Sequence, residues 1–439
     1  MSFDDFPRFS GSLSLDDVTR HSYAQDYGQI VHELPRAVLR PGSVDDVVEM
    51  VRFARSRGLP IAARGQGHQP FGQAQVQDGI VIDMRALGAV HGATSARLDL
   101  DAGATWRTAM QAALPGHTPP VLPNYLGLTV GGTLSIGGVG VASLRHGAQV
   151  DNVIELDVVT GEGELIRCSE RREPELFEAV LAGQGQCGII TRAALRLVEA
   201  KPMLREYMLR YADLPTLLHD EAALLREDRA DGAVALAGPS PDGWLYMLSL
   251  VRQFTPPATP DDAALCAGLR AIEGSLRTRD LDYATYMDTY PEFPFGQSQA
   301  SLGLFIPGSA AAGFLGGVVG RLREDDLGGT SGMRIFFWDR SRFSRTLLRL
   351  PCEETLVYAA LLRTDTSDPD TLARMLAGNR TLFEANRELG GTLYPFAALE
   401  LTRDDWRRNY GSAWSALTRA KQRYDPSNVF ASGPDLFRG

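Results

Sequence analysis

Cysteine is scarce in this sequence. Only four of the 439 residues are cysteines, and Cys168, Cys187, Cys266 and Cys352 are widely spaced, with no C-x-x-C pair. This spacing predicts neither a zinc knuckle nor a disulfide framework, and we expect buried free thiols. The seven histidines form neither an H-E-x-x-H motif nor another close ligand pair. The sequence therefore predicts no metal site.

Long apolar runs and an excess of positive charge are also missing. The amino terminus, MSFDDFPRFS, has no basic or apolar signal segment, and no uninterrupted apolar run of about 18 residues occurs. The chain has 44 basic against 54 acidic residues, a formal net charge of −10. This charge would repel a phosphate backbone or an anionic membrane surface. We therefore expect a cytoplasmic protein with neither nucleic acid nor membrane as a partner.

The composition that is present is that of an ordered globular protein, with 44% hydrophobic and 22% charged residues. A chain of this length is expected to form two domains, because a single core stops growing at about 250 to 300 residues. Short predicted strands and helices alternate over residues 37–200. A second region, about 201–394, has a different texture, with helical stretches, longer strands and a Pro-rich connector at 254–262.

Local patterns predict individual elements. Ser43 is placed to cap a helix that Gly58 ends, with two aspartates in its first turn. Alternation and turn residues predict strands at 59–63, 79–84, 97–103 and 243–251, a hairpin at 153–168, helices at 106–114 and 262–276, and a terminal helix from Trp406 followed by a Tyr-Asp-Pro turn.

Three glycine-dense loops lie in the first region, at 62–73, 128–140 and 182–191. Glycine lets backbone N–H groups approach a phosphate closely, so such loops suit a long anionic ligand. No G-x-G-x-x-G among them follows a predicted strand and opens a helix with an acidic residue about 20 positions on, so none is the dinucleotide fingerprint of a Rossmann fold. Ser135 is not a hydrolase nucleophile either, because G-x-S-x-G requires glycine where this chain has Thr133. For the third loop, a helix cap followed by a turn is an equally good interpretation.

Motifs in these loops carry a family resemblance. Gly65-x-Gly67-His68, Tyr125 with L-T-V-G-G-T-L-S, R-H-G at 145–147, G-Q-C-G-I-I-T and K-Q-R-Y-D-P-S-N-V resemble the cytokinin dehydrogenases, which are vanillyl-alcohol-oxidase type flavoproteins. The resemblance extends over nearly the whole chain. It implies an α+β fold with a two-part, PCMH-type FAD domain at 1–199 and 395–439. An α+β substrate domain with an antiparallel sheet would be inserted at 200–394.

The resemblance also implies site residues. The histidine of the family's G-x-G-H-S motif bonds covalently to the flavin 8α-methyl carbon and falls on His68, although Gln69 replaces the serine. A hydrogen-bonded loop histidine is the alternative for His68. Tyr394 matches a tyrosine near the isoalloxazine and is a candidate for catalysis. Positions implied to contact FAD are Gly65, Gln66, Gly67, His68, Gln69, Gln73, Thr129, Gly131, Gly132, Ser135, Ile190 and Tyr394.

Three positions depart from the family pattern. Asn124 stands where the family has an aspartate that takes a proton from the substrate amine, and an amide cannot act as a base. Ala237 lies near the place of a substrate-binding glutamate, and S-P-G-Q near the carboxyl end has become A-S-G-P at 431–434. Asn124 is then either a turn former or a hydrogen-bonding group aimed at the substrate or the flavin.

We predict an FAD-dependent oxidoreductase that oxidises a small organic molecule, expected to be a specialised metabolite. The reaction implied is hydride transfer from carbon to covalently bound flavin, with O2 or another compound as the electron acceptor. Two alternatives stay open. The chain is a cytokinin dehydrogenase whose base lies elsewhere, or it is a flavin-binding protein without redox turnover.

Overall fold

The structure is a computed structural model that describes residues 5–241, 243–288, 298–322, 326–328, 332–363, 368–431, 433 and 436–437. In these ranges the strands are β1 Ser12–Ser14, β2 Ala37–Arg40, β3 Ile61–Arg64, β4 Ile80–Asp83, β5 Val90–Ala93, β6 Arg97–Asp101, β7 His117–Thr118, β8 Val153–Val159, β9 Leu165–Cys168, β10 Ile189–Arg196, β11 Val198–Glu199, β12 Met203–Tyr211, β13 Gly232–Ser240, β14 Gly243–Phe254, β15 Arg277–Asp282, β16 Leu302–Pro307, β17 Gly332–Asp339, β18 Thr355–Leu362 and β19 Thr392–Ala397.

The helices alternate with these strands. They are α1 Asp17–Ser22, α2 Val44–Arg57, α3 Trp106–Ala113, α4 Val130–Leu134, α5 Ser143–His146, α6 Pro174–Val180, α7 Leu214–Glu227, α8 Asp262–Cys266, α9 Tyr283–Met287, α10 Gly308–Val319, α11 Pro369–Glu388, α12 Arg403–Tyr410 and α13 Trp414–Tyr424.

The strands form separate sheets. A four-stranded sheet has the order β1-β2-β4-β3, with β2 and β3 both parallel to β4, and a five-stranded sheet has the antiparallel order β5-β6-β10-β8-β9. The largest sheet has eight antiparallel strands, β15-β12-β14-β13-β17-β18-β16-β19. Helices pack beside these sheets, so the α+β fold class is confirmed. The division at 199/200 and 394/395 stays a prediction, and β19 continues to Ala397.

One large apolar core connects the five-stranded and eight-stranded sheets. It includes Leu100, Trp106, Tyr207 and Trp338, each almost fully buried. A second cluster covers the four-stranded sheet and includes Met50 of α2. The sheets that carry the functional site are therefore well packed.

Several local predictions are confirmed. The Ser43 hydroxyl accepts from the Asp46 N–H at 3.4 Å at the start of α2, and Gly58 ends this helix with a φ of 64°. Helix α3 fills 106–113, and β8 pairs with β9 as the predicted hairpin.

Two predicted helices differ from the structure. The helix expected at 262–276 ends at Cys266, because Gly268 and Gly274 adopt positive φ and the Ile272 N–H donates to the Arg210 carbonyl of β12. The terminal helix is broken into α12 and α13 at Gly411, whose φ is 52°. In both cases a glycine in the left-handed region interrupts the helical ladder.

The expectations about thiols, metals and membranes can be compared with the described residues. All four cysteines are free, and Cys168 and Cys187 are buried as expected. The expectation was wrong for Cys352, which is exposed, and Cys266 is half-buried. Within the described ranges, no cluster of three or more histidine, cysteine or acidic side chains is arranged to hold a metal. No helix in that part of the chain has the length and apolarity needed to cross a bilayer.

Candidate active site

A cavity lies between the three glycine-dense loops and one face of the eight-stranded sheet. The structure brings every site residue expected from the sequence to this cavity, whose lining includes Gly65, Gln66, Gly67, His68, Gln69, Gln73, Asn124, Thr129, Gly131, Gly132, Ser135, Ile190 and Tyr394. Two surfaces face each other across it. We call them the loop wall, formed by lining residues of 65–73, 129–135 and 184–190, and the sheet wall, formed by Arg334, Phe336, Tyr358, Ala360, Leu362, Tyr394 and Phe396.

The first loop is hydrogen-bonded to the segment around Tyr27. The Tyr27 and Gly28 N–H groups donate to the carbonyls of Gly67 and Gln69 at 2.8 and 3.1 Å. Gly65 packs directly against the second loop, because a Cβ added there would lie 2.0 Å from Thr129 Oγ1. Glycine at 65 is therefore required for the first two loops to meet in the loop wall.

A buried carboxyl supports the same loop from behind. Asp26 accepts hydrogen bonds from the N–H groups of Gly72 at 2.5 Å and Gly28 at 2.9 Å. Burial raises the pKa of Asp26 to about 6, although these hydrogen bonds and the charge of Arg64 act in the opposite direction. The Arg64 guanidinium donates to the Tyr23 carbonyl at 3.2 Å. Arg64 and Asp26 thus form a charged support under the His68 loop.

His68 lines the cavity and packs among aromatic rings. Its imidazole stacks on Tyr27 with centroids 4.0 Å apart and lies 5.3 Å from the Tyr125 ring and 6.3 Å from the Phe396 ring. Burial lowers the pKa of His68 to about 4. The imidazole is therefore neutral near pH 7, which is the form with a ring-nitrogen lone pair available to form a bond.

The second loop continues into α4. The Val130 and Gly131 N–H groups donate to the carbonyls of Ala104 and Ala102 at 2.9 and 2.7 Å. Trp106 Nε1 donates to Thr133 Oγ1 at 2.8 Å, and the Ser135 hydroxyl donates to the Gly131 carbonyl at 2.8 Å. The Ser135 proton is thus used within the helix, as expected for a residue that is not a hydrolytic nucleophile.

The third loop packs on the end of α4. Ala182 and Gln184 donate through their N–H groups to the carbonyls of Leu134 and Ser135 at 2.9 and 2.7 Å. Gln184 Nε2 donates to the Tyr410 hydroxyl at 2.7 Å. Gly185 has a φ of 70°, and a Cβ there would meet no atom within 4 Å. The loop therefore leaves open space on the cavity side, beyond what a helix cap alone requires.

The sheet wall is mainly aromatic. The Tyr394 ring lies edge-on to Tyr358 at 5.2 Å and to Phe305 at 5.5 Å. Burial raises the pKa values of Tyr358 and Tyr394, so both phenols are neutral at ordinary pH. The Gly138 backbone, close to the Tyr394 hydroxyl, opposes this rise of the pKa. Tyr394 therefore bridges the sheet wall and the second loop.

The departures from the family pattern have different positions. Asn124 lines the cavity, is half-buried, and its side chain makes no hydrogen bond within the described part of the chain. This differs from a turn former, whose amide bonds to the local backbone. Ala237 lies in β13 opposite Met333, away from the cavity lining. Ser432 and Pro434 lie outside the described residues, and the Gly433 N–H donates to the Gln75 carbonyl at 3.3 Å.

Sequence reasoning missed several lining or supporting residues. They are Tyr27, Gln184, Arg334, Phe336, Tyr358 and Phe396. No motif marks Tyr27 or Arg334, because each reaches the site through tertiary pairing. Alternation along β17 and β18 was the signal available for Phe336 and Tyr358, since it places them on one face of the sheet.

The residues present fit FAD. The amide oxygens of Gln69 and Gln184 are buried and have no hydrogen-bond partner in the described part of the protein. Buried acceptors are normally satisfied, so a donor from a bound molecule is expected here. The glycines of the loop wall leave space for a long ligand, and the aromatic sheet wall suits a flat ring.

Comparisons with known proteins agree with this fit. Residues 35–169 match the family described as FAD binding domain, and residues 295–437 match the family described as cytokinin dehydrogenase 1, FAD and cytokinin binding. An uncharacterized oxidoreductase from the fasciation locus of Rhodococcoides fascians is 36% identical, covering 97% of this chain and 98% of that protein. Cytokinin dehydrogenase 4 of Oryza sativa is 31% identical, covering 98% and 90%.

The chain belongs to the cytokinin dehydrogenase family. It is an FAD-dependent oxidoreductase, and the predicted family, fold class and FAD binding are confirmed. The crystal structure of 6-hydroxy-D-nicotine oxidase from Arthrobacter nicotinovorans has a TM-score of 0.75, with coverage of 96% of this chain and 97% of that one. Its sequence identity is 21%, so this likeness supports the fold alone.

Proposed function

We propose that this member of the cytokinin dehydrogenase family oxidises a small organic molecule, a specialised metabolite, with FAD attached covalently to His68. The observation that carries the proposal is the position of His68. Its imidazole faces the cavity, is kept neutral by burial, and is fixed by the stacked Tyr27 ring 4.0 Å away. A neutral, oriented imidazole is the nucleophile that such an attachment needs.

Bound FAD would supply acceptance of a hydride from a substrate carbon next to nitrogen or oxygen, and transfer of the electrons to O2 or another acceptor. The residues of the chain would position that carbon and exclude water. Phe336, Tyr358 and Phe396 present apolar rings to the cavity. We propose that Asn124 orients the substrate through hydrogen bonds, since an amide cannot take a proton.

Cytokinin dehydrogenase activity is a second candidate function. The match of residues 295–437 to the FAD and cytokinin binding family and the similarity to two cytokinin dehydrogenases of Oryza sativa favour it. Asn124 weighs against it, because the family's aspartate base stands at this position and an amide cannot take a proton from an amine substrate. Turnover of isopentenyladenine by the purified protein distinguishes the two candidates directly.

We also propose a two-part FAD domain at 1–199 and 395–439, a substrate domain at 200–394, and a cytoplasmic location.

The test of the proposed oxidation and of the covalent flavin is an absorbance spectrum of the purified protein before and after acid precipitation, followed by anaerobic reduction with a metabolite library. We expect a flavin spectrum that stays with the denatured chain and is bleached by a subset of compounds. If dithionite reduces the flavin but no metabolite does, the alternative of a flavin-binding protein without redox turnover would be favoured.

A further inference from the structure

We propose that Tyr27 is a positioning residue for the attachment of FAD to His68. Its hydroxyl contact with Gln299 makes the attachment depend on the segment 299–301. This inference rests on the proposed function, because it concerns the step in which the covalent flavin forms. It begins from two contacts of the Tyr27 side chain, one with the first glycine-dense loop and one with a residue 272 positions later in the chain.

The attachment requires a defined orientation of the imidazole. It forms one N–C bond between a ring nitrogen of His68 and the 8α-methyl carbon, and it breaks one N–H bond and one C–H bond. The two electrons and two protons that are released reduce the flavin, and the acceptor of the proposed reaction reoxidises it, forming H2O2 where that acceptor is O2. Such a bond forms quickly only when the reacting atoms are held aligned and about 3 to 3.5 Å apart.

Tyr27 restricts the imidazole on one face. The two rings stack with centroids 4.0 Å apart and planes 29° apart, and Tyr27 is buried. The Tyr27 N–H donates to the Gly67 carbonyl at 2.8 Å. Gly28 packs so closely against the same loop that an added Cβ would lie 1.8 Å from the Pro70 carbonyl oxygen. The Tyr27 ring therefore cannot move away from His68 without breaking these contacts, and it limits rotation of the imidazole.

The hydroxyl end of the Tyr27 ring is held by Gln299. The hydroxyl donates to Gln299 Oε1 at 3.1 Å, and the Gln299 N–H donates to the Gly28 carbonyl at 2.9 Å. Gln299 is 1% exposed, so solvent does not compete for this hydrogen bond. Burial also raises the pKa of Tyr27, so the phenol stays protonated and remains a donor at ordinary pH. Two hydrogen bonds thus connect residues 27 and 28 to Gln299.

The segment 299–301 is in turn held by Asn379 of α11, which is fully buried. The Asn379 amide donates to the carbonyls of Ala300 and Ala398 at 3.0 and 2.9 Å, and the Ala398 N–H donates to the Ser301 carbonyl at 2.7 Å. Ser301 leads directly into β16, which pairs with β19 of the sheet wall. The strands that carry the sheet wall therefore place this segment, and attachment depends on their packing.

The test uses full-length apoprotein from riboflavin-starved cells, mixed with FAD. The attachment rate at saturating FAD is the rate at which flavin absorbance becomes resistant to acid precipitation of the chain. Binding without attachment is measured separately, by fluorescence titration with an FAD analogue that lacks the 8-methyl group. A positioning role lowers the attachment rate and leaves this affinity unchanged, whereas a general loss of structure lowers both.

We expect Tyr27→Leu to slow attachment about 100-fold, because a small displacement of a reacting group has an effect of this size. Tyr27→Phe and Gln299→Met should each slow it about tenfold, the equivalent of one lost hydrogen bond. The variant with both of these changes should be no slower than either single variant, because both remove the same contact. Every variant should bind the analogue as tightly as the wild type.

Tyr283→Phe is the matched control, because it removes a buried hydroxyl that lies 3.2 Å from the Thr118 hydroxyl and does not line the cavity. It should change neither the attachment rate nor the affinity. Attachment at the wild-type rate in Tyr27→Leu or in Gln299→Met would overturn the proposal. So would effects of Tyr27→Phe and Gln299→Met that multiply in the double variant, or a loss of analogue affinity as large as the loss of rate.

The outcome is distinguishable from that of the proposed function. A wild type that forms no acid-stable flavin contradicts the His68 attachment, and this inference with it. A wild type that attaches flavin, while the Tyr27 and Gln299 variants attach it equally fast, contradicts this inference alone and leaves the proposed function in place.

Discussion

The loop wall and the sheet wall face the same cavity but are built in different ways. The loop wall uses backbone and small residues, and glycine is required where two loops meet, as at Gly65 against Thr129. The sheet wall uses large side chains that project from strands, such as Phe336 and Tyr358. From this difference we propose that the loop wall holds the cofactor and that the sheet wall selects the substrate. Changes in the loop wall should affect flavin content, and changes in the sheet wall should affect turnover of flavin that is already bound.

The largest expected effect is at His68. In His68→Ala the flavin should leave completely on acid precipitation, whereas it should stay with the wild-type chain, as measured by fluorescence of the denatured protein. Because burial lowers the pKa of His68 to about 4, attachment should not change between about pH 6 and pH 9. His21→Ala, an exposed histidine of α1, should retain the flavin. Wild-type flavin that washes out in acid would rule out the covalent attachment.

Gly65→Ala tests the backbone construction of the loop wall. The added methyl group would lie 2.0 Å from Thr129 Oγ1, so we expect low FAD content and a free energy of unfolding reduced by about 1–3 kcal/mol. Adding Thr129→Ala should recover part of the unfolding free energy. Gly92→Ala, which meets no atom within 4 Å, should change neither quantity. Normal FAD content in Gly65→Ala would break the proposed contrast between the walls.

The raised pKa of Asp26, which lies behind the loop wall, predicts that the free energy of unfolding depends on pH. Its folded-state pKa of about 6 lies above the ordinary value near 4, so the carboxyl takes up a proton on folding between these values. The contribution of this protonation to the free energy of unfolding is complete below about pH 4. It is lost as pH rises through 6, which lowers the free energy of unfolding by up to about 3 kcal/mol. Asp26→Asn should remove this part of the dependence. Denaturant unfolding of both proteins from pH 4 to 8 measures the difference, and parallel curves would contradict the prediction.

Asn124 lines the cavity outside both walls and tests whether a third part of the lining contacts the substrate. Asn124→Ala should lower the anaerobic flavin reduction rate roughly tenfold, equivalent to one hydrogen bond of about 1.4 kcal/mol in the transition state. Asn124→Asp should add an ionisation to the pH profile, because a carboxylate near the flavin titrates. The same rate and pH dependence in the wild type, Asn124→Ala and Asn124→Asp would show that Asn124 does not contact the substrate.

Tyr394→Phe has the smallest expected effect and belongs to the sheet wall. It removes the hydroxyl that interacts with the Gly138 backbone, and we expect turnover about fivefold lower, equivalent to about 1 kcal/mol, with covalent flavin unchanged. Tyr283→Phe removes a buried hydroxyl away from the cavity, 3.2 Å from Thr118, and should not change turnover. Loss of flavin from Tyr394→Phe would show that the two walls are not separate in function.

Much of the fold was predictable where the signal is local. The Ser43 cap, the Gly58 end of α2 and the 153–168 hairpin all follow from a few adjacent residues. The prediction was wrong at 262–276, where composition favours a helix. There a hydrogen bond from Ile272 to Arg210, 62 residues earlier, and two positive-φ glycines replace the helical ladder. Such a bond depends on a strand pairing that no local window contains.

The sequence by itself determined the family, the FAD cofactor and most residues of the loop wall, although not Gln184. The residues of a glycine-rich loop are neighbours in the sequence and stay close together in any fold, so the motif can be recognised from the sequence alone. Only the tertiary structure decided that Tyr27 stacks on His68, that Asp26 supports the same loop and that Arg334 faces the cavity. These residues act through burial and strand register, which set pKa values and side-chain directions between segments that are distant in the sequence. Contacts between distant segments form only when the core folds, so no single segment of the sequence predicts them.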